Sequence, residues 1–159
     1  MATKKKVLLS NGTEVFIVDP TNDTKVYKLC VTQLDVNEGD PTKIDVTTLC
    51  EREKIQEVDG LLGSSESTFT INMDFSDETH KMLLAARKDK RELKFRIGQS
   101  DGDAQATHSS SGWGEETSRT WVDFTGYISK VPLSYSVNAV VQPQVSVTMT
   151  SGYSVTHKA

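Results

Sequence analysis

The stretch Ser67-Thr68-Phe69-Thr70-Ile71-Asn72-Met73-Asp74-Phe75 limits what this chain can fold into more than any other. Phe69, Ile71, Met73 and Phe75 fall on one face, and Thr68, Thr70, Asn72 and Asp74 on the other. Strict period-two alternation is the mark of a β-strand with one buried and one wet face. The same pattern returns near the end, where Val145, Val147 and Met149 alternate with Ser146, Thr148 and Thr150. Leu93 to Ile97, Trp121 to Ser129 and Val131 to Val137 read as further strands.

Turn chemistry divides the rest. Asn11-Gly12 lies between Val7-Leu8-Leu9 and Glu14 to Val18, which predicts a hairpin because both turn positions favour positive φ. Tyr27 to Val36 and Lys43 to Leu49 flank Asn37-Glu38-Gly39-Asp40-Pro41 and predict a second hairpin. One helix is expected after Phe75. Ser76 can cap it, Asp77 and Glu78 occupy its first turn, Arg87 and Lys88 its last, and Met82, Leu83 and Ala86 keep helical spacing. Ser100 to Arg119 shows no periodicity and reads as a long loop. Trp113 stands in it between two glycines, either as a contact with another chain or as packing on its own domain. The sum is a mainly β fold, a β-sandwich or barrel with one packed α-helix, as a single domain over 1–159.

Chemistry is hard to find. Gly60-Leu61-Leu62-Gly63-Ser64-Ser65 precedes a strand, whereas a phosphate cradle needs a helix N-terminus behind its glycines. The serine clusters lack a G-x-S-x-G context. His80, His108 and His157 read as exposed polar residues, and the acids crowding the second hairpin as solvated. Cys30 and Cys50 sit in apolar runs without a C-x-x-C pair, so two buried free thiols are expected and no metal or cofactor. No enzymatic activity is expected. A formal net charge of -4 argues against gripping nucleic acid through its phosphates. Met1-Ala2-Thr3-Lys4-Lys5-Lys6 is followed by no apolar run of signal-peptide or membrane length, which predicts folding in a cytoplasm and no membrane partner.

From Leu29 to Thr150 the order of features resembles the tail tube proteins of long-tailed, non-contractile bacteriophages. The resemblance rests on Ile44-Asp45-Val46-Thr47-Thr48-Leu49, the Gly60 to Glu66 segment, the alternating strand ending Met73-Asp74-Phe75 and the helix ending Leu83-Leu84-Ala85-Ala86. Glu92 to Ile97 and the closing hairpin from Phe124-Thr125-Gly126-Tyr127-Ile128-Ser129 to Thr150 complete it. The resemblance implies hexameric rings that stack into a hollow tube in the virion tail. The tube would be assembled in the host bacterial cytoplasm, would conduct DNA during ejection, and would meet tape-measure, tail terminator and tail tip proteins.

On that reading the lumen candidates are Asp35, Asp45, Thr68, Thr70, Asn72, Asp74, Ser146, Thr148 and Thr150, with Lys43 the one basic residue sharing their faces. The ring-to-ring candidates are Lys4, Lys5, Lys6, Glu38, Asp40 and Trp113. Alternatives are a tube subunit of a contractile injection or type VI-like secretion system, or a monomeric β-sandwich binding or decoration module.

Overall fold

A computed structural model describes residues 7–63 and 65–159. The frame is one curled sheet. Its strands are β1 (Glu14–Val18), β2 (Val26–Leu29), β3 (Gln33–Asp35), β6 (Ser65–Thr70), β7 (Glu92–Gly98), β10 (Trp121–Lys130), β11 (Gln144–Met149) and β12 (Ser154–Thr156). The order across it is β2-β1-β7-β10-β11-β6-β3, with β12 beside β10, and every pairing is antiparallel.

Alternation decides which way the sheet curls. Val15, Ile17, Leu29, Phe69, Leu93, Phe95, Ile97, Phe124, Ile128, Val145 and Val147 point inward and are buried, with Phe95 and Phe124 stacked at 5.0 Å between ring centroids. Helix α1 (Glu78–Asp89) lays Met82, Leu83 and Ala86 on this core. The sheet stops short of a closed barrel. Between its β3 edge and the β1–β7–β10 region lies a cavity of about 540 Å³, lined by apolar Val31, Leu34, Ile97 and Val122 and rimmed by Thr13 and Gln99.

The strands over 93–97, 121–129 and 145–150 form where alternation places them, and the mainly β fold with one packed helix holds. Several connections differ. Residues 7–9 form no strand, although Gly12 adopts φ +96 and Thr13 N–H donates to the Ser10 carbonyl. Both edges of β1 are already taken, by β2 and β7, so a third partner has no place. The run from Tyr27 to Val36 breaks at Cys30, and β3 crosses to β6. The expected partner segment instead forms β4 (Pro41–Asp45), paired with β5 (Glu57–Leu62), a strand that takes in Gly60 to Leu62 and that the sequence reading did not anticipate.

Regular pairing of β6 ends at Thr70. Ile71 and Met73 still donate to the carbonyls of Pro143 and Val141, but Asp74 then folds over Ser76 and leaves Phe75 exposed. The helix cap is Asp77, whose Oδ1 accepts from Thr79 N–H at 2.8 Å; Ser76 is engaged by Asp74. Residues 131–143 contain no strand, and Leu133, Tyr135, Val137 and Val140 are exposed. Both cysteines are exposed, not buried: Cys30 lies where β2 ends and Cys50 in the turn beyond β4. His80 and His108 are buried, contrary to expectation. His80 Nδ1 accepts from Asp74 N–H, and His108 Nδ1–H donates to the Asp23 carbonyl.

The 100–119 segment is no free loop. It carries the short hairpin β8 (His108–Ser109) and β9 (Gly112–Trp113) and folds over the outer face of β1, β7 and β10. Phe16, Ala106 and Trp121 form a second small core there, with Trp113 half-buried against it. Trp113 stacks under the Arg96 guanidinium at 5.0 Å and meets the His108 ring edge-on.

Arg119 ties the segment down. Its guanidinium is fully buried and donates to the carbonyls of Gln99, Ala104, Gly12 and Gly98 and to Glu14 Oε2 at 2.7 Å. Glycine at 98 leaves room for it, since a Cβ there would lie 2.5 Å from the Arg119 Cζ.

Candidate assembly surfaces

Register defines the wet face of the sheet. Directly opposed residues of an antiparallel pair share a face. Asp35 opposes Thr68, which opposes Ser146, which opposes Lys130; Glu66 opposes Thr148, which opposes Tyr127, which opposes Glu92. Thr70, Gln33 and Gln144 form a third row. These rows cover the outer face of β3, β6, β11 and β10. The 100–119 segment covers the same face only at the other end of the sheet, over β1, β7 and the start of β10.

Of the lumen candidates, the structure therefore gathers Asp35, Thr68, Thr70, Ser146 and Thr148 into one patch. Thr150 lies at its border, where its hydroxyl donates to Glu92 Oε1. Ser146 is buried at 3% exposure in spite of its register position, so its hydroxyl offers no open surface in the free chain. Asn72 and Asp74 fall beyond the end of β6. Asn72 is held by Gln142, and Asp74 is held by Ser76, which keeps its carboxyl below the usual range.

Asp45 is elsewhere altogether. It lies on the β4–β5 hairpin, where the Thr47 hydroxyl and N–H hold its carboxyl below the usual range. Lys43 is there too, ion-paired with Asp59, so it is not the basic residue of the wet face. Lys130 and Lys94 are, alternating with Glu66 and Glu92. Sequence reading missed them because their face depends on a bulge in β10 and on which strands become neighbours.

The β4–β5 hairpin stands apart as an arm whose substantial packing is strand on strand only. Its pairs sort its side chains. Ile44 opposes Val58, and the Ile44 side chain abuts Gly60; Val46 and Leu62 continue that face by alternation. Lys43, Asp45, Glu57 and Asp59 form the other face. One side is apolar and exposed, with Ile44, Val46, Val58 and Leu62 each between 43% and 54% accessible. The other side is charged. Glu38 and Asp40 flank the root of the arm, where Asp40 leads straight into β4 and its carbonyl accepts from Gly63 N–H. Lys4, Lys5 and Lys6 lie outside the described residues.

Among the described residues no three His, Cys, Asp or Glu side chains gather as metal ligands, and no helix is long and apolar enough to cross a membrane. The molecule's distinctive features are a bare polar sheet face and a projecting ribbon with an uncovered apolar side. They define a structural subunit whose surfaces suit contact with other protein.

Sequence comparison agrees. Residues 6–159 match the family described as phage tail tube, TTP, lambda-like, and the chain belongs to that family. It is thus a structural protein of a phage virion. "Structural protein 3" of Pseudomonas phage PAJU2 is 29% identical over 151 residues, covering 91% of this chain and 90% of the relative. The fold is similar to the SPP1 tail tube protein, with a TM-score of 0.70 at 11% identity over 95% of this chain and 80% of that one. It is equally similar to a chain of the anti-feeding prophage baseplate, with a TM-score of 0.70 at 5% identity over 99% and 98%.

Proposed function

We propose that copies of this chain close into hexameric rings, that the rings stack into a hollow tail tube, and that the tube conducts DNA during ejection. The observation carrying this reading is the outer face of β3, β6, β11 and β10, a wet surface on an otherwise well-covered sheet that ends in the open edge of β3. An open edge is an aggregation hazard unless another strand covers it, and a ring of copies covers every edge. Thr68, Thr70, Thr148 and Asp35 then line the lumen, with Lys94 and Lys130 offset by Glu66 and Glu92. A lumen that neither holds nor strongly repels phosphate lets DNA pass.

The arm, with Glu38 and Asp40 at its root, makes the ring-to-ring contacts in this reading. Trp113, half-buried against Arg96 and His108, has less surface to offer such a contact than the arm. The tape-measure, terminator and tip proteins are the partners at the ends of such a tube, and the host bacterial cytoplasm is where it is built.

Negative-stain electron microscopy of concentrated protein, with light scattering on the same sample, tests the assembly. Hollow tubes of stacked six-fold rings are expected. A stable 17.6 kDa species that never polymerises, even when seeded with tail tips, would reject it. Thr70→Lys tests the lumen: tubes should form as before, while DNA delivery by phage carrying the variant should fall. A second reading, a tube of a contractile system, draws on the equal likeness to the anti-feeding prophage chain. A sheath around the tube in purified virions would favour it.

A further inference from the structure

Strand β12 is held unlike the rest of the main sheet. It follows β11 along the same edge of β10 after a break at Ser151–Tyr153, pairing Thr156 with Trp121, Val155 with Val122 and Ser154 with Asp123. Ser154 and Thr156 are exposed and Val155 is only partly covered, at 43% accessible, so β12 adds no residue to the buried core. The groove it fills is built far more firmly. Trp121 is fully buried, and Asp123 receives Arg96 Nε and Nη2 at 2.6 and 3.0 Å. Backbone bonds therefore do most of the holding of β12, together with three tethers beyond it: Lys158 N–H to the Thr120 hydroxyl, Lys158 Nζ to the Asp101 carbonyl at 2.7 Å and Ala159 N–H to the Thr117 carbonyl.

We infer that β12 is an exchangeable strand: it closes the β10 edge of its own chain in the free subunit, and the β12 of a second copy closes it in the assembly. The inference rests on the self-assembly proposed above. The occupant is fixed by what already sits there, because the same sequence from another copy fits the edge in the same register. Exchange in the same register restores every backbone bond and the partial cover of Val155, so the two arrangements are close in free energy. Leaving the edge empty is the costly alternative, since it exposes unpaired strand backbone. The break at Ser151–Tyr153 supplies the hinge. Gly152 there lies so close to Glu38 that an added Cβ would stand 2.5 Å from the Glu38 carboxylate. Glu38, at the root of the arm, therefore lies against the hinge of β12.

The test uses the full chain carrying Val122→Cys and Val155→Cys in a Cys30→Ser, Cys50→Ser background. Val122 and Val155 are direct partners, so oxidation of the free subunit should give an intrachain bond and a monomer band on a non-reducing gel. Oxidation after assembly should give an interchain ladder; intrachain monomers from assembled tubes would overturn the inference. Locking the chain before assembly should abolish tube growth until reductant is added, and unchanged growth of the locked chain would equally overturn it. Failure of the reduced protein to assemble under seeding would instead refute the self-assembly reading, and the inference with it. A chain ending at Gly152 provides a second readout independent of disulfide geometry. It should stay folded and bind a synthetic peptide covering 150–159, and absence of that binding counts against exchange.

Discussion

At the residue scale, Arg119 carries more than any other side chain. A buried guanidinium with one carboxylate and four carbonyls around it is stable only while all are present. Arg119→Met should therefore lower stability by about 3 kcal/mol, as for other buried charges stripped of a partner, which chemical denaturation would measure. Gly98→Ala should cost about 1–3 kcal/mol through overpacking, but much less in an Arg119→Ala background, since the atoms it would strike are gone. Burial alone would raise the Glu14 carboxyl, but hydrogen bonds from Arg119 and Lys28 outweigh it and hold the pKa below 4.5. A carboxylate with a depressed folded pKa stabilises above its unfolded value and loses that contribution as pH falls through the folded one. Tm should thus drop on acidification below about pH 4.5, and less steeply for Arg119→Met. None of this was legible in the sequence. The partners of Arg119 are mostly backbone carbonyls, which carry no residue signature, and the segment's lack of periodicity hid a cover held by one side chain.

At the element scale, legibility followed alternation. β7, β10 and β11 lie where their patterns put them, because each turns an apolar face into the main core and the register is fixed by it. Pairing was another matter. Asn11-Gly12 carries the strongest hairpin dipeptide in the chain and does turn, yet β1 pairs with β2, the next strand, through the 19–25 turn and with the distant β7. The turn at Asn11-Gly12 forms without a hairpin because both edges of β1 are filled by strands that follow it.

The helix cap offers a direct check. Asp77→Ala should cost about 1 kcal/mol, and Ser76→Ala close to nothing, in urea titrations. The arm offers another. Ile44→Ser with Val58→Ser touches only the exposed ribbon face, so the thermal transition of the body should stay in place while tube length collapses. A large drop in Tm would mean that the face packs within the chain.

At the scale of the whole molecule, the family resemblance named the correct structural class because order and spacing survive where single motifs do not. The residues it put forward for a lumen do not all share one face. The wet patch assembles from four strands whose adjacency no local pattern announces, so Asp45, Asn72 and Asp74 were placed on it and Lys94 and Lys130 were missed. A salt series follows from the corrected charges. With lysines and glutamates alternating on the patch, DNA passage through assembled tubes should depend only weakly on ionic strength, whereas Thr70→Lys should make it salt-sensitive.

The strand order also sets a timetable for synthesis. β11 lies in the middle of the sheet between β10 and β6, yet only β12 follows it among the strands in chain order. A nascent chain that has not yet delivered residues 144–149 holds β6 and β3 with no route to the rest of the sheet. Until then the core side chains of both halves wait on one late strand, and the polar patch has no continuous surface. If the subunit polymerises as proposed, it becomes competent only once residues 144–149 have been made, and a chain stopping before them cannot enter a growing polymer and terminate it.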